Sequence, residues 1–113
     1  MPYIAMQTST AIPPEKEAAI KTQLGKAIEL LGKTERWLML SFADDCRLWF
    51  QGDQARPSAF VVVKLFGRAS EAAYANMTAE VTRILAEELM LDPDRIYVQY
   101  EEVSHWGWNG SNF

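Results

Sequence analysis

What this 113-residue chain lacks narrows the field first. It has one cysteine, Cys46, and one histidine, His105. A single thiol cannot close an intramolecular disulfide or form a Cys-x-x-Cys redox or zinc pair, so Cys46 is read as an inert packing residue. A lone histidine does not anchor a metal site by itself. Positive charge is also scarce: 11 Lys and Arg against 15 Asp and Glu leave a net charge of −4, the opposite of the basic stripe that nucleic acid requires. An anionic small molecule would need a local cluster of cations. No run approaches the ~18 apolar residues of a membrane span, and the short apolar start lacks the basic region of a signal peptide. The expectation is one soluble, cytoplasmic domain with no metal, nucleic acid or membrane among its partners.

What is present reads as a succession of strands and helices. Pro2 to Thr8 is a strand. Pro13-Pro14-Glu15 starts a helix, because proline is tolerated at the first helical position and an acid suits the first turn. Ile20, Leu24, Ala27, Ile28 and Leu31 then fall on one helical face, and Gly32 stands where a left-handed C′ residue is wanted. Trp37 to Phe42 is a second strand, Asp44-Asp45 a turn, and Arg47 to Phe50 a short return strand before a loop to Pro57. Ala59 to Phe66 is the strongest strand, apolar on both faces through Phe60-Val61-Val62-Val63 and ended by Gly67. Ser70 caps a second helix with an apolar stripe of Tyr74, Met77, Val81, Ile84 and Leu85. Leu91-Asp92-Pro93-Asp94 stops it, and Ile96 to Val103 is the last long strand. The tail from Trp106 to Phe113 is aromatic and rich in turn formers.

This order is a β-α-β unit used twice within one domain, residues 1–56 and 57–113. Parallel crossovers are nearly always right-handed, so two such units interleaved in one sheet can place both helices on the same face. The other face then has no cover within the chain, although Phe60 to Val63 is too apolar to stay wet. Another copy of the chain is the expected cover, which predicts an obligate homo-oligomer.

The opening dipeptide Met1-Pro2 carries the chemistry. If Met1 is trimmed, the chain begins with a prolyl secondary amine on the first turn of a strand. An ordinary α-amino group has a pKa of about 7.7–8.0, burial lowers it, and a general base works best near the working pH. With Met1 retained, the same nitrogen is a tertiary amide and has no basic lone pair.

Taken with Met1-Pro2, the motifs Gly32-Lys33, Phe66-Gly67, Pro93-Asp94-Arg95-Ile96-Tyr97 and Gly107-Trp108-Asn109…Phe113 make the sequence resemble the macrophage migration inhibitory factor family of the tautomerase superfamily, from first residue to last. The resemblance implies an α+β fold with a four-stranded mixed sheet and two antiparallel helices on one face. It also implies a homotrimer with active sites at subunit boundaries and keto–enol tautomerisation of phenylpyruvate-like 2-oxo acids. By position, Pro2 matches the catalytic proline and Lys33 the lysine that pairs with the substrate carboxylate. Phe66 replaces an isoleucine whose backbone closes the pocket. Tyr97 matches a pocket tyrosine from the neighbouring subunit, and Gln99 replaces a pocket asparagine. Trp37, where a tyrosine is usual, matches the aromatic walls together with Trp108 and Phe113, and Trp106 adds bulk at the rim.

These residue types suit the reaction independently of the name. Proton transfer next to a carbonyl needs a near-neutral base, a cation for the acid group, and flat apolar walls for an aromatic ring; it needs no cofactor. A cation beside the amine, Lys33, disfavours its protonation. Arg36 and Lys64 are read as solvated, each able to add to the positive field. The Cys-x-x-Cys pair of the mammalian cytokine is replaced by Ser58 and Val61, which argues against thiol–disulfide chemistry. A second reading is a signalling protein, exported without a signal peptide, that binds a receptor and keeps the pocket as inheritance.

Overall fold

The structure, a computed structural model, describes residues Met1–Phe113. Strand β1 (Pro2–Thr8) leads to helix α1 (Pro14–Ala27), whose last turn tightens into a 3-10 segment at Ile28–Leu31. A further 3-10 turn, Glu35–Trp37, precedes β2 (Met39–Ala43). The second half repeats the plan with β3 (Ala59–Phe66), α2 (Glu71–Leu89), a 3-10 turn at Pro93–Arg95 and β4 (Ile96–Val103). A small hairpin of β5 (Gly107–Trp108) and β6 (Ser111–Asn112) ends the chain.

Local chemistry sets most of these boundaries. Pro14 occupies the first turn of α1 with Glu15 and Glu17 beside it, where neither a missing N–H nor a negative charge is costly. Gly32 ends the helical segment at φ 74°, a left-handed conformation open to glycine at little cost. The Ser70 hydroxyl accepts the Ala73 N–H at 3.1 Å and caps α2. No helix is long and apolar enough to cross a membrane.

The main sheet runs in the order β2-β1-β3-β4. β1 pairs with β2 and β3 with β4 in parallel, while β1 and β3 meet antiparallel with Pro2 opposite Leu65 and Thr8 opposite Ala59. The two units therefore stand side by side rather than interleaved. The helices run antiparallel on one face: Lys16 at the start of α1 reaches Glu88 at the end of α2 at 3.3 Å, and Gln23 bonds the same carboxylate. Between helices and sheet lies a core that includes Ile4, Met6, Leu24, Ile28, Val61, Val63, Val81 and Ile84, all at 2% exposure or less. Each large aliphatic there is worth about 1.5–3 kcal/mol of burial.

The opposite face is open. Alternation along the strands gives it Tyr3 and Ala5, Met39 and Ser41, Phe60, Val62 and Lys64, and Tyr97, Gln99 and Glu101. Polar pairs are set among these apolar groups, Tyr3 with Ser41 at 2.8 Å and Lys64 with Glu101 at 3.5 Å.

Two expected strands differ. The second begins at Met39, because Trp37 is taken into the Glu35–Trp37 turn. The return strand Arg47–Phe50 does not form. Only Phe50 and Asp53 bridge, across a tight turn with Gln51 and Gly52 at positive φ. The cause is Arg95, 1% exposed, which donates to the carbonyls of Phe50 at 2.9 Å and Arg56 at 3.1 Å and lies over the Phe50 ring. That buried guanidinium binds the segment to the start of β4 as a loop.

Candidate active site

Three backbone and side-chain contacts gather Pro2, Lys33 and Phe66 at one end of the sheet. Pro2 opens β1 beside Leu65, and the adjacent Phe66 N–H donates to the Met1 carbonyl at 3.0 Å. Lys33, thrown out of the helix end by Gly32, donates from Nζ to the Phe66 carbonyl at 3.0 Å. Pro2, Lys33 and Phe66 are thus tied together by the ends of β1, β3 and the α1 segment. An ammonium carries three donors, so this bond leaves Lys33 free to hold an anion as well.

Electrostatics at the chain start fit a weakened base. The Met1 ammonium is held below its ordinary pKa by burial first and by the nearby Lys33 charge second. Each effect disfavours the protonated amine. Pro2, one residue further in, is buried. With Met1 in place its nitrogen is an amide.

Aromatic side chains build the walls. Trp37 and Trp108 meet edge-to-face with ring centres 5.0 Å apart, and Phe113 packs on Phe66 at 5.7 Å. The tail is folded back by the Phe113 N–H donating to the Trp106 carbonyl at 3.1 Å. Met1, Pro2, Trp37, Trp106 and Trp108 border one cleft of about 750 Å³, and Arg36 stands at its margin. Sites for small ligands span roughly 300–1,000 Å³.

Lys33, Phe66 and Phe113 are not among the residues that line this cleft, and Tyr97 and Gln99 do not join it within one chain. They lie in register with Phe60 and Val62 of β3, whereas Pro2 lies opposite Leu65. Tyr97 is 56% exposed and packs edge-to-face on Phe50 at 4.8 Å. It borders a separate hollow of about 250 Å³ above Arg95. No group of three or more His, Cys, Asp or Glu side chains is placed to hold a metal ion. Arg36, read from the sequence as solvated and able to add to the positive field, borders the Pro2 cleft. Phe50, which the sequence did not single out, borders the Tyr97 hollow, where a long-range bond from Arg95 places it.

The sequence model of the family described as macrophage migration inhibitory factor (MIF) matches residues 1–113. The chain belongs to the MIF family. It is 24% identical over 115 residues to the macrophage migration inhibitory factors of Meriones unguiculatus and Mus musculus, covering 100% of this chain and 99% of each relative. Among solved structures it is similar to Leishmania major MIF2, with a TM-score of 0.93, 33% identity, and 100% and 97% of the two chains covered. A MIF homologue from Prochlorococcus marinus gives a TM-score of 0.89 at 30% identity, with 98% of both chains covered. The four-stranded mixed sheet under two helices is therefore the MIF fold.

Proposed function

We propose that the chain is a cofactor-independent keto–enol tautomerase of phenylpyruvate-like 2-oxo acids, with Pro2 as general base once Met1 is removed. The observation that carries this reading is the convergence of the Pro2 backbone, Lys33 and the Phe66 backbone at the chain start. Lys33 pairs with the substrate carboxylate. The freed Pro2 nitrogen takes a proton from the carbon beside the ketone, the C–H electron pair becomes the new C=C bond, and the carbonyl electrons move to oxygen, which accepts that proton back from the Pro2 ammonium and leaves the amine neutral. The reverse sequence regenerates the ketone and the neutral amine. Trp37 and Trp108 hold the ring and exclude water, which strengthens the electrostatic terms.

Three copies, sheets turned inward, would cover the open face and bring Tyr97 and Gln99 of one copy to the cleft of the next. Intact mass establishes whether Met1 is absent. In trimmed protein, replacing Pro2 by Gly or acetylating the amine is expected to reduce phenylpyruvate turnover by at least ~100-fold, the usual scale for a positioned base. Full turnover with a blocked amine would assign the proton transfer elsewhere.

A further inference from the structure

Of the chain's 11 basic side chains, Lys16, Lys21, Arg56, Lys64, Arg83 and Arg95 enter ion pairs. Lys26, Lys33, Arg36, Arg47 and Arg68 do not, and of these Arg36 alone lines the Pro2 cleft, with Lys33 tied beside it through the Phe66 carbonyl. The Arg36 guanidinium lies 5.2 Å from the centre of the Trp37 ring, on the margin of the Pro2 cleft. Trp37 is itself fixed by Trp108. No carboxylate lines that cleft, in a chain with more acids than bases.

The neighbouring acid is held away by construction. Glu35 turns back to Lys21 at 3.3 Å, and its carboxylate rests against Gly25 of α1. A Cβ at residue 25 would collide with that carboxylate. Gly25 lies inside the helix, where glycine costs about 1 kcal/mol relative to alanine, and it leaves Glu35 docked on α1 rather than on Arg36.

We propose that Arg36 is a second anion anchor, selecting 2-oxo acids whose body ends in a second carboxylate. This rests on the tautomerase reading above and names its substrate class. Lys33 holds the acid group beside the reacting ketone, Trp37 and Trp108 flank the middle, and Arg36 meets the distal carboxylate. A guanidinium presents two parallel N–H donors that match a carboxylate in bidentate fashion. Stacking on Trp37 pre-orients that fork, so less side-chain freedom is lost on binding.

The test compares the enols of phenylpyruvate and 4-carboxyphenylpyruvate with Met1-free protein. The dianion is expected to show kcat/KM about 10-fold higher through a lower KM, the scale of one charge-assisted hydrogen-bonded pair. Arg36→Gln should bring the ratio of the two substrates close to one, Arg36→Lys should restore part of it, and Gly25→Ala, which dislodges Glu35, should shrink it. A wild-type ratio of one, or an Arg36→Gln protein that loses both substrates equally, overturns the proposal. Should neither enol turn over, the tautomerase reading fails separately, and tryptophan quenching by 4-carboxyphenylacetate against phenylacetate decides the matter. Tighter dianion binding that Arg36→Gln removes supports the second anchor; equal binding overturns it.

Discussion

Lys33 acts on the chain start through its charge, while its hydrogen bond goes to the Phe66 carbonyl. Its ammonium lies near enough to lower the Met1 amine, after burial has done the larger share. If the trimmed Pro2 amine is the base, activity requires the neutral form, so kcat/KM rises with pH through the amine pKa. That acid limb should fall below the ordinary α-amino range of about 7.7–8.0. Lys33→Met removes a like charge, so the amine pKa and the acid limb should both move upward while KM increases. A pH–rate profile checks this, and an unmoved limb would mean that Lys33 does not act on the base. Pro2 and Lys33 entered the sequence reading as a pair through the family resemblance; local rules account only for where they sit, on a strand that starts the chain and after a glycine that ends a helix at positive φ. Arg36 was read as solvated, because what leaves it unpaired is a contact between Glu35 and Gly25 across two elements.

At the scale of elements, the strand and helix limits followed from periodicity and caps, and the segment between β2 and β3 did not. Arg47 to Phe50 has strand-forming side chains, yet β3 is already paired on both edges by β1 and β4. Arg95 captures the segment instead. Its position in a Pro-Asp-Arg turn gives no hint of burial, since arginine is seldom fully buried unless paired. Arg95→Met should leave the Arg56 carbonyl without its donor, take one of two donors from the Phe50 carbonyl, which keeps the Asp53 N–H, and cost about 3 kcal/mol. Urea unfolding at fixed protein concentration should show a lower midpoint with an unchanged slope. Ser70→Ala removes the α2 cap and should cost about 1 kcal/mol in the same measurement. A loss as large as that of Arg95→Met would show that Ser70 does more than cap.

For the whole molecule, the open sheet face is where the proposed assembly would form. A strand apolar on both sides was visible as Phe60 to Val63, and that alone called for a second layer from outside the chain. The pairs Tyr3–Ser41 and Lys64–Glu101 were not foreseeable, because each needs the register between neighbouring strands. Val62 is the central test position, flanked by Ala5 of β1 and Gln99 of β4. Val62→Asp would bury an unpaired charge in an assembled face, a severe penalty. Sedimentation equilibrium should then report monomers, with far-ultraviolet circular dichroism close to that of the parent. Wild-type protein that sediments as a monomer would show that this face meets water.

The bond from the Phe66 amide to the Met1 carbonyl gives removal of the initiator a second effect. One peptidase cut would liberate the amine and also strip Phe66 of its acceptor, leaving an unsatisfied donor directly beside the newborn terminus. With Met1 in place, its carbonyl oxygen occupies the position at the Phe66 amide that a carboxylate would need in order to accept that bond. Amide hydrogen exchange at Phe66 should accelerate in the processed polypeptide and slow again when a carboxylate guest docks; equal protection in both forms would show that this position stays shut.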